Sequence, residues 1–193
     1  MAVPIDFTMK SHPTAYVNNV MGSTHVAALH RQFRTRSFIY GKVTRCETKG
    51  DTVVISHEIE FDPGGMLRHM VLPLRHKTQD AFYEYPYMHV HVGGIFQLWN
   101  FMLPIDANTT RIFLLSMSDR ARVPFTDIPI PDAVTKPFIK IAREILVRPL
   151  FDEDVWSTEA EQRGYERYFD ERELDPHPSI RPSYQLTVRK WEE

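Results

Sequence analysis

Two histidines near the start of the chain have residue types and a spacing that could serve metal binding. His25 and His30 lie five residues apart in the stretch NNVMGSTHVAALH. On an ideal helix that interval corresponds to about 140° of rotation, so the two rings would not share a face as an i, i+4 pair does. They can bind one ion only if the helix is broken or distorted between them, and the stretch Gly22-Ser23-Thr24 just before His25 favours some irregularity there.

A third ligand for such an ion would have to be a histidine or a carboxylate, because the chain has one cysteine, Cys46. Two neutral imidazoles and one carboxylate on one face of an octahedron are the ligands used for non-haem iron(II) that activates dioxygen. The acidic candidates are Asp152, Glu153 and Asp154. Acidic residues are also favoured in a first helical turn by the helix dipole, so the residues alone leave both interpretations open.

The composition indicates a globular protein, which we expect to be one domain spanning residues 1–193. Apolar residues make up 42% of the chain and the net charge is −2, with no block of Lys or Arg. We therefore expect neither a nucleic-acid partner nor a membrane partner. The longest apolar stretches fall well short of the ~20 residues that span a bilayer, and the first residues lack the apolar core of a signal peptide. These features predict a cytoplasmic protein.

The middle of the chain predicts an antiparallel sheet. Before it, residues 14–33 have the pattern of a helix interrupted at Gly22. Six runs with strand-like alternation follow, joined by turn signals such as Gly93-Gly94. The runs are SFIYGKVTRC, DTVVISHEIEF, MLRHMVLPL, AFYEYPYMHVHV, IFQLWNFMLPI and TRIFLLSMS.

The fourth run has the side chains that would line a cavity if it forms one strand. Its alternation then gives two sets on opposite faces. One set is Phe82, Glu84, Pro86, Met88 and Val90, and the other is Tyr83, Tyr85, Tyr87, His89 and His91. Either set makes a largely apolar or aromatic surface that suits a ring-shaped ligand. His89 and His91 share a face as in the two-histidine strand of a cupin, but glycines follow where a glutamate would be needed.

The last third of the chain changes to helical patterns. Residues 127–150 predict a proline-rich loop leading into a helix, and residues 151–169 predict a second helix. Its expected buried positions are Val155, Trp156, Ala160, Tyr165 and Tyr168. The tail from Glu173 is expected to be extended. The whole is an α+β layout, in which a curved antiparallel sheet wraps around a long C-terminal helix and can enclose a ligand cavity.

Three stretches resemble the catalytic domain of the Rieske-type non-haem iron oxygenases. NNVMGSTHVAALH is similar to that family's iron-binding helix, N-x-x-x-D-x-x-H-x-x-x-x-H, with Asn18, His25 and His30 in register. LWNFMLPIDANTTRIFLLS resembles a strand pair late in the domain. DEDVWSTEAEQRGYE resembles the C-terminal helix whose acidic run supplies the carboxylate ligand. The three occur in the family's order, and the resemblance covers nearly the whole chain.

The resemblance implies a helix-grip (START-like) fold and a mononuclear Fe(II) bound by His25, His30 and Asp154, with Asp152 as the fallback. Asn18 would lie near the iron. In this family, activated oxygen is inserted into aromatic or similar ring compounds, and the outcomes are ring hydroxylation or oxidative demethylation. The implied partners are a small aromatic or ring-shaped substrate, O2, an external Rieske or ferredoxin protein with its reductase, and a homo- or hetero-trimer.

Two departures from the family pattern concern the supply of electrons. Relatives carry a Rieske domain whose [2Fe–2S] cluster needs two Cys and two His, and this sequence has one Cys, so we expect no such cluster in this chain. The family's acidic residue that links the iron to a neighbouring subunit's cluster is replaced by Gly22. Electrons are therefore expected from a separate protein. The alternative hypothesis is a metal-free START-like module that binds a hydrophobic small molecule.

Overall fold

The computed structural model describes residues 2–22, 25–30, 38–61, 77–94, 96–118, 128, 130–168 and 177–193. The described residues form seven strands and five α-helices, with a π-helical segment at Arg143–Val147 between the third and fourth helix. The strands are β1 Ala2–Met9, β2 Phe38–Lys49, β3 Thr52–Phe61, β4 Thr78–Glu84, β5 Tyr87–Val92, β6 Phe96–Asp106 and β7 Thr109–Ser118. The helices are α1 Pro13–Gly22, α2 His25–Leu29, α3 Asp132–Ala142, α4 Arg148–Tyr168 and α5 Ile180–Glu192.

The strands form one antiparallel sheet in the order β1-β7-β6-β5-β4-β3-β2. From β2 to β7, each strand pairs with the next strand along the chain. β1 closes the other edge by pairing with β7. Gly50, Gly93 and Gly94 lie in the turns with positive φ angles of 58°, 57° and 71°, a conformation that glycine adopts without steric cost. The predicted α+β class with an antiparallel sheet is confirmed.

One face of this sheet forms the core and packs against α1, α4 and α5. Inward side chains alternate with outward ones along each strand. The buried strand residues include Val53, Ile55, Ala81, Tyr83, Met88, Val90, Met102, Ile112 and Leu114. The helices contribute Val17 and Met21 from α1, Phe151 from α4 and Leu186 from α5. The buried apolar surface therefore fixes α1 and α4, which carry most of the candidate site, against the same sheet face.

The prediction of one strand over AFYEYPYMHVHV is wrong, because a turn at Tyr85–Pro86 divides it into β4 and β5. The turn changes which residues face the core. Ala81 and Tyr83 on β4 are buried beside Met88 and Val90 on β5. Neither predicted set therefore lies on one face. The run MLRHMVLPL lies outside the described residues, and β1 was not predicted.

The extended tail is also an incorrect prediction, since residues 180–192 form α5. Its buried residues, Ile180, Ser183, Leu186 and Thr187, recur at helical spacing. Pro182 lies in the first turn, where a missing N–H leaves no intrahelical hydrogen bond unmade. The prolines of this tail thus mark the start of a helix rather than extended chain.

The helix predicted over residues 151–169 corresponds to α4, but two of its five expected buried positions are wrong. Trp156 and Tyr168 are 64% and 73% exposed. The buried face of α4 instead carries Phe151, Asp154 and Thr158. Aromatic residues suggested the wrong face, and a carboxylate lies on the face that packs inward. No helix among the described residues is long and apolar enough to cross a bilayer.

Candidate metal centre

The two histidines come from a helix that is interrupted just before them. α1 ends at Gly22, and α2 begins at His25 after two residues that the structure does not describe. His30 directly follows α2, and its backbone N–H donates to the Val26 carbonyl at 3.3 Å. The two imidazole rings lie 5.3 Å apart between centroids, at an interplanar angle of 79°. The chain is helical from His25 to Leu29, so the interruption lies before the pair and not between the two histidines, whose rings nevertheless approach each other.

Asp154 reaches the two imidazoles from α4. Its Oδ1 lies 3.5 Å from His25 Nε2 and 3.4 Å from His30 Nε2. The three candidate ligand atoms all lie within 4.8 Å of one another. His30 and Asp154 are only 3% and 6% exposed. The structure therefore brings together the three residues predicted as metal ligands, whereas Asp152, the fallback, is exposed.

Two neighbouring asparagine side chains of α1 contact α4. The Asn18 amide donates to the Tyr165 hydroxyl at 2.9 Å and to Glu161 Oε1 at 3.4 Å. The side chain of the next residue, Asn19, donates a hydrogen bond to the Asp154 carboxylate. Asn18 thus joins the two helices, and Asn19 is the asparagine in contact with a candidate ligand. The role of Asn18 beside a metal stays a prediction.

Burial controls the charge of the cluster. Desolvation raises the pKa of Asp154 to about 8, although the Asn19 hydrogen bond lowers it, and the charge of Glu153 adds to the increase. Desolvation and the neighbouring His30 lower the pKa of His25 to about 3. The pKa of His30 is also lowered by burial, against the opposing effect of its contact with Glu153. At neutral pH both imidazoles are therefore uncharged and available as ligands.

The cluster fits a divalent cation. Among the described residues, the buried Asp154 Oδ1 and His25 Nδ1 have no hydrogen-bond partner. A buried polar atom without a partner costs about 1–3 kcal/mol, and coordination would satisfy the carboxylate oxygen. A positive ion would also oppose the desolvation that raises the pKa of Asp154. Two imidazoles and one carboxylate suit iron(II) of the non-haem oxygenase type.

The other histidines of interest lie elsewhere. His89 is on the outer face of the sheet, stacked between Phe82 at 4.5 Å and Trp99 at 4.4 Å, and His91 lies 5.0 Å from it. His57 is buried on β3 and stacks on His177 at 5.2 Å. In the described part of the chain, His25, His30 and Asp154 are the group of three whose ligand atoms converge.

Sequence reasoning missed two contacts of the cluster. It treated Glu153 only as a possible ligand, yet Glu153 Oε2 lies 3.2 Å from His30 Nδ1, on the side of the ring away from Asp154. It gave Asn19 no role. The adjacent pair Asn18-Asn19 was visible in the sequence, but which amide faces α4 and which faces Asp154 depends on the helix phase.

The fold and the cluster together define an α+β domain in which two histidines and one carboxylate converge. The chain belongs to the family described as the vanillate O-demethylase oxygenase C-terminal domain, whose model matches residues 9–191. The resemblance to the catalytic domain of the Rieske-type oxygenases is thereby confirmed. The helix-grip expectation agrees with the fold of the solved relatives.

Three comparisons show how far the similarity extends. A 4β-methylsterol monooxygenase of Methylococcus capsulatus (Bath) is 31% identical over 190 residues, which are 97% of this chain and 51% of the relative. The structure of the quaternary ammonium Rieske monooxygenase CntA with an inhibitor has a TM-score of 0.62 at 16% identity, over 99% of this chain and 50% of that one.

A carbazole-bound oxygenase in the ferredoxin complex of carbazole 1,9a-dioxygenase has a TM-score of 0.57 at 14% identity, over 97% of this chain and 54% of that one. The solved structures therefore share the fold with this chain. The chain spans about half the length of each of these relatives.

Proposed function

We propose that this chain is the catalytic component of a mononuclear non-haem iron oxygenase. The observation that supports the proposal best is the convergence of His25, His30 and Asp154, each of which offers a ligand atom within 4.8 Å of the other two. A site of this composition leaves coordination positions open for oxygen and water. Membership of the oxygenase family supports the same conclusion from the sequence as a whole.

In this proposal the chain's own groups hold and orient the metal. His25 and His30 would bind it through Nε2, and Asp154 through Oδ1. The Asn19 amide holds the carboxylate in place by its hydrogen bond. The burial of His30 and Asp154 limits the access of bulk water to the site. Iron(II) bound there supplies the activation of dioxygen.

The proposed net reaction inserts one oxygen atom into a C–H bond. The substrate, O2, two electrons and two protons give the hydroxylated product and water. If the hydroxylated carbon is a methyl group on oxygen or nitrogen, the product releases formaldehyde and the net result is demethylation. The electrons must come from an external donor, for which a Rieske protein or ferredoxin with its reductase is the proposed class.

The family description and two of the three compared proteins support a ring-shaped substrate, whereas the third is a quaternary ammonium monooxygenase. The family description names vanillate, and two of the compared proteins are a methylsterol monooxygenase and a carbazole-bound oxygenase. The ferredoxin in the carbazole complex supports an external electron donor. We also propose that the chain assembles into a trimer of like or unlike subunits. Cys46 is an exposed free thiol, which suits the reducing cytoplasm as the proposed location.

Metal analysis of protein purified without an affinity tag tests this function. We expect about one Fe(II) per chain after anaerobic loading, as this ligand set requires. His25→Ala and Asp154→Ala should lose it. His91→Ala is the matched control, because it removes an imidazole from the outer sheet face, and should keep the iron.

Turnover is the second measurement. Iron-loaded protein given a reduced ferredoxin or Rieske protein, O2 and a methyl-bearing ring compound should form a hydroxylated or demethylated product in step with O2 consumption. Protein that takes up no iron, but retains a hydrophobic compound through purification, would contradict the proposal and support the metal-free binding module.

A further inference from the structure

The contact between Glu153 and His30 lies on the side of the imidazole opposite Asp154. Glu153 Oε2 is 3.2 Å from His30 Nδ1, while His30 Nε2 is 3.4 Å from Asp154 Oδ1. One ring therefore bridges two neighbouring carboxyl groups of α4. The side chain of Glu153 is 25% exposed, whereas that of His30 is only 4% exposed. Glu153 thus connects a buried imidazole with the protein surface.

This arrangement selects one tautomer of His30. A carboxylate oxygen can only accept a hydrogen bond. The contact with Glu153 has hydrogen-bond geometry, whereas Asp154 Oδ1 has no hydrogen-bond partner among the described residues, so the arrangement favours the proton of the neutral imidazole on Nδ1. Nε2 then carries the lone pair and faces Asp154 Oδ1 and His25. That is the tautomer in which His30 can bind a metal at the shared point. A carboxylate on the far nitrogen also raises the basicity of a ligating imidazole.

Glu153 differs from the neighbouring acids Asp152 and Asp154 in its surroundings and not in its chemical group. Asp154 is the residue whose carboxylate faces both imidazoles. Asp152, in the same turn of α4, is exposed. The three consecutive acids therefore lie in three different environments, although they carry the same kind of group.

We propose that Glu153 is a positioning residue that holds His30 in the Nδ1–H tautomer with Nε2 directed at the metal position. This inference rests on the proposed metal site, but the tautomer can be measured in the protein without metal. Through this contact Glu153 sets the orientation of the ring and strengthens Nε2 as a ligand. Its carboxylate stays outside the group of converging ligand atoms.

Imidazole 15N NMR of the metal-free protein tests the tautomer directly, at a pH where the ring is neutral. In the wild type, His30 should be protonated on Nδ1. In Glu153→Ala the proton should move toward Nε2, whereas Glu153→Gln, whose amide oxygen can still accept, should retain the wild-type tautomer. Asp152→Asn is the control, because it removes an acidic group from the same turn, and it should leave the tautomer of His30 unchanged. Wild-type His30 protonated on Nε2, or a tautomer unchanged in Glu153→Ala, would overturn the proposal.

Titration with Co(II) alone tests the consequence for metal binding. Loss of a group that orients a ligand typically lowers metal affinity about 10- to 100-fold, and we expect this loss in Glu153→Ala. Glu153→Gln should lose less, and Asp152→Asn should stay within about twofold of the wild type. Equal losses in Glu153→Ala and Asp152→Asn would assign the effect to general charge and contradict the proposal. If the wild type binds no Co(II), the proposed metal site is wrong, and the NMR result still decides the role of Glu153.

Discussion

Tyr16 and Asn100 form a buried hydrogen bond between α1 and β6, an inner strand of the sheet. The Tyr16 hydroxyl donates to Asn100 Oδ1 at 2.8 Å, across 84 residues of sequence. The two side chains are 1% and 2% exposed. Burial raises the pKa of Tyr16, and the charge of Asp154 makes a smaller contribution in the same direction. The bond therefore fixes α1, which precedes both candidate histidines, to β6.

Removal of the Tyr16 hydroxyl tests the strength of this connection. Tyr16→Phe keeps the ring but leaves Asn100 Oδ1 buried without its donor, so we expect a loss of about 1–3 kcal/mol in the free energy of unfolding. Urea denaturation of the metal-free protein measures it. Tyr87→Phe, at a half-buried position on the outer face, is the control and should stay within about 0.5 kcal/mol of the wild type.

The two neighbouring asparagines of α1 should differ in their effects on metal binding. Asn19→Ala removes the hydrogen bond to the Asp154 carboxylate, so we expect about a tenfold or greater loss of Co(II) affinity. Asn18→Ala removes contacts to Tyr165 and Glu161 and should reduce stability with little effect on affinity. A larger affinity loss in Asn18→Ala would instead favour a position of Asn18 beside the metal, as the sequence predicts.

Metal affinity should increase with pH up to about pH 8. The pKa of Asp154 is raised to about 8, so at pH 7 a metal must displace a proton from most molecules. Apparent affinity should therefore rise about tenfold per pH unit from pH 6.5 toward 8 and then level off. Calorimetric titration in two buffers of different ionisation enthalpy measures the released proton. An affinity that is constant over this range would contradict an elevated pKa at Asp154.

The stability of the metal-free protein should fall over the same range. The folded-state pKa of Asp154, about 8, exceeds its ordinary value of 3.8, so the folded state binds more protons and loses stability as pH rises through 8. His25 acts in the opposite direction, because its pKa falls from 6.5 to about 3, but that effect is complete by about pH 6.5.

Between pH 6.5 and 8 we therefore expect a loss of about 1–2 kcal/mol. Urea denaturation at several pH values measures it. In Asp154→Asn, the free energy of unfolding should not fall over this pH interval. A wild-type stability that increases over this interval would mean that the Asp154 carboxyl binds no extra proton in the folded state.

Gly22 should be sensitive to an added side chain because of α5. A Cβ at this position would lie 3.0 Å from Ile180 Cδ1, and Ile180 is 3% exposed. We expect Gly22→Ala to lose about 1 kcal/mol or more of stability. Ile180→Val removes the Cδ1 atom, so Gly22→Ala should cost almost nothing in that background. Thermal denaturation of the four proteins measures the coupling, and equal costs in both backgrounds would exclude this contact as the cause.

The sequence predicted the sheet class and the ligand types better than the faces of individual elements. Alternation over residues 51–61 predicted β3, although five consecutive residues of that strand, 53–57, are all buried. It misassigned the faces of residues 81–92, because a two-residue turn between β4 and β5 shifts the alternation. On α4 the aromatic residues suggested a buried face, but Trp156 is exposed and Asp154 is buried. The pattern of apolar residues along a segment indicates whether it is a strand or a helix. Which of its faces is buried depends on contacts with elements that are distant in the sequence.

For the candidate site, the sequence by itself determined the donor chemistry: histidine and carboxylate ligands, with a single cysteine, and an interruption before His25. The residues alone leave Asp152, Glu153 and Asp154 open and the family resemblance favours Asp154, but only the tertiary structure shows that Asp154 faces the two imidazoles and that Glu153 contacts the other side of His30. Three consecutive acids on a helix point about 100° apart, so their roles follow from how α4 is rotated against the rest of the fold. That rotation is fixed by the burial of Phe151 and Thr158, whose partners come from distant parts of the chain.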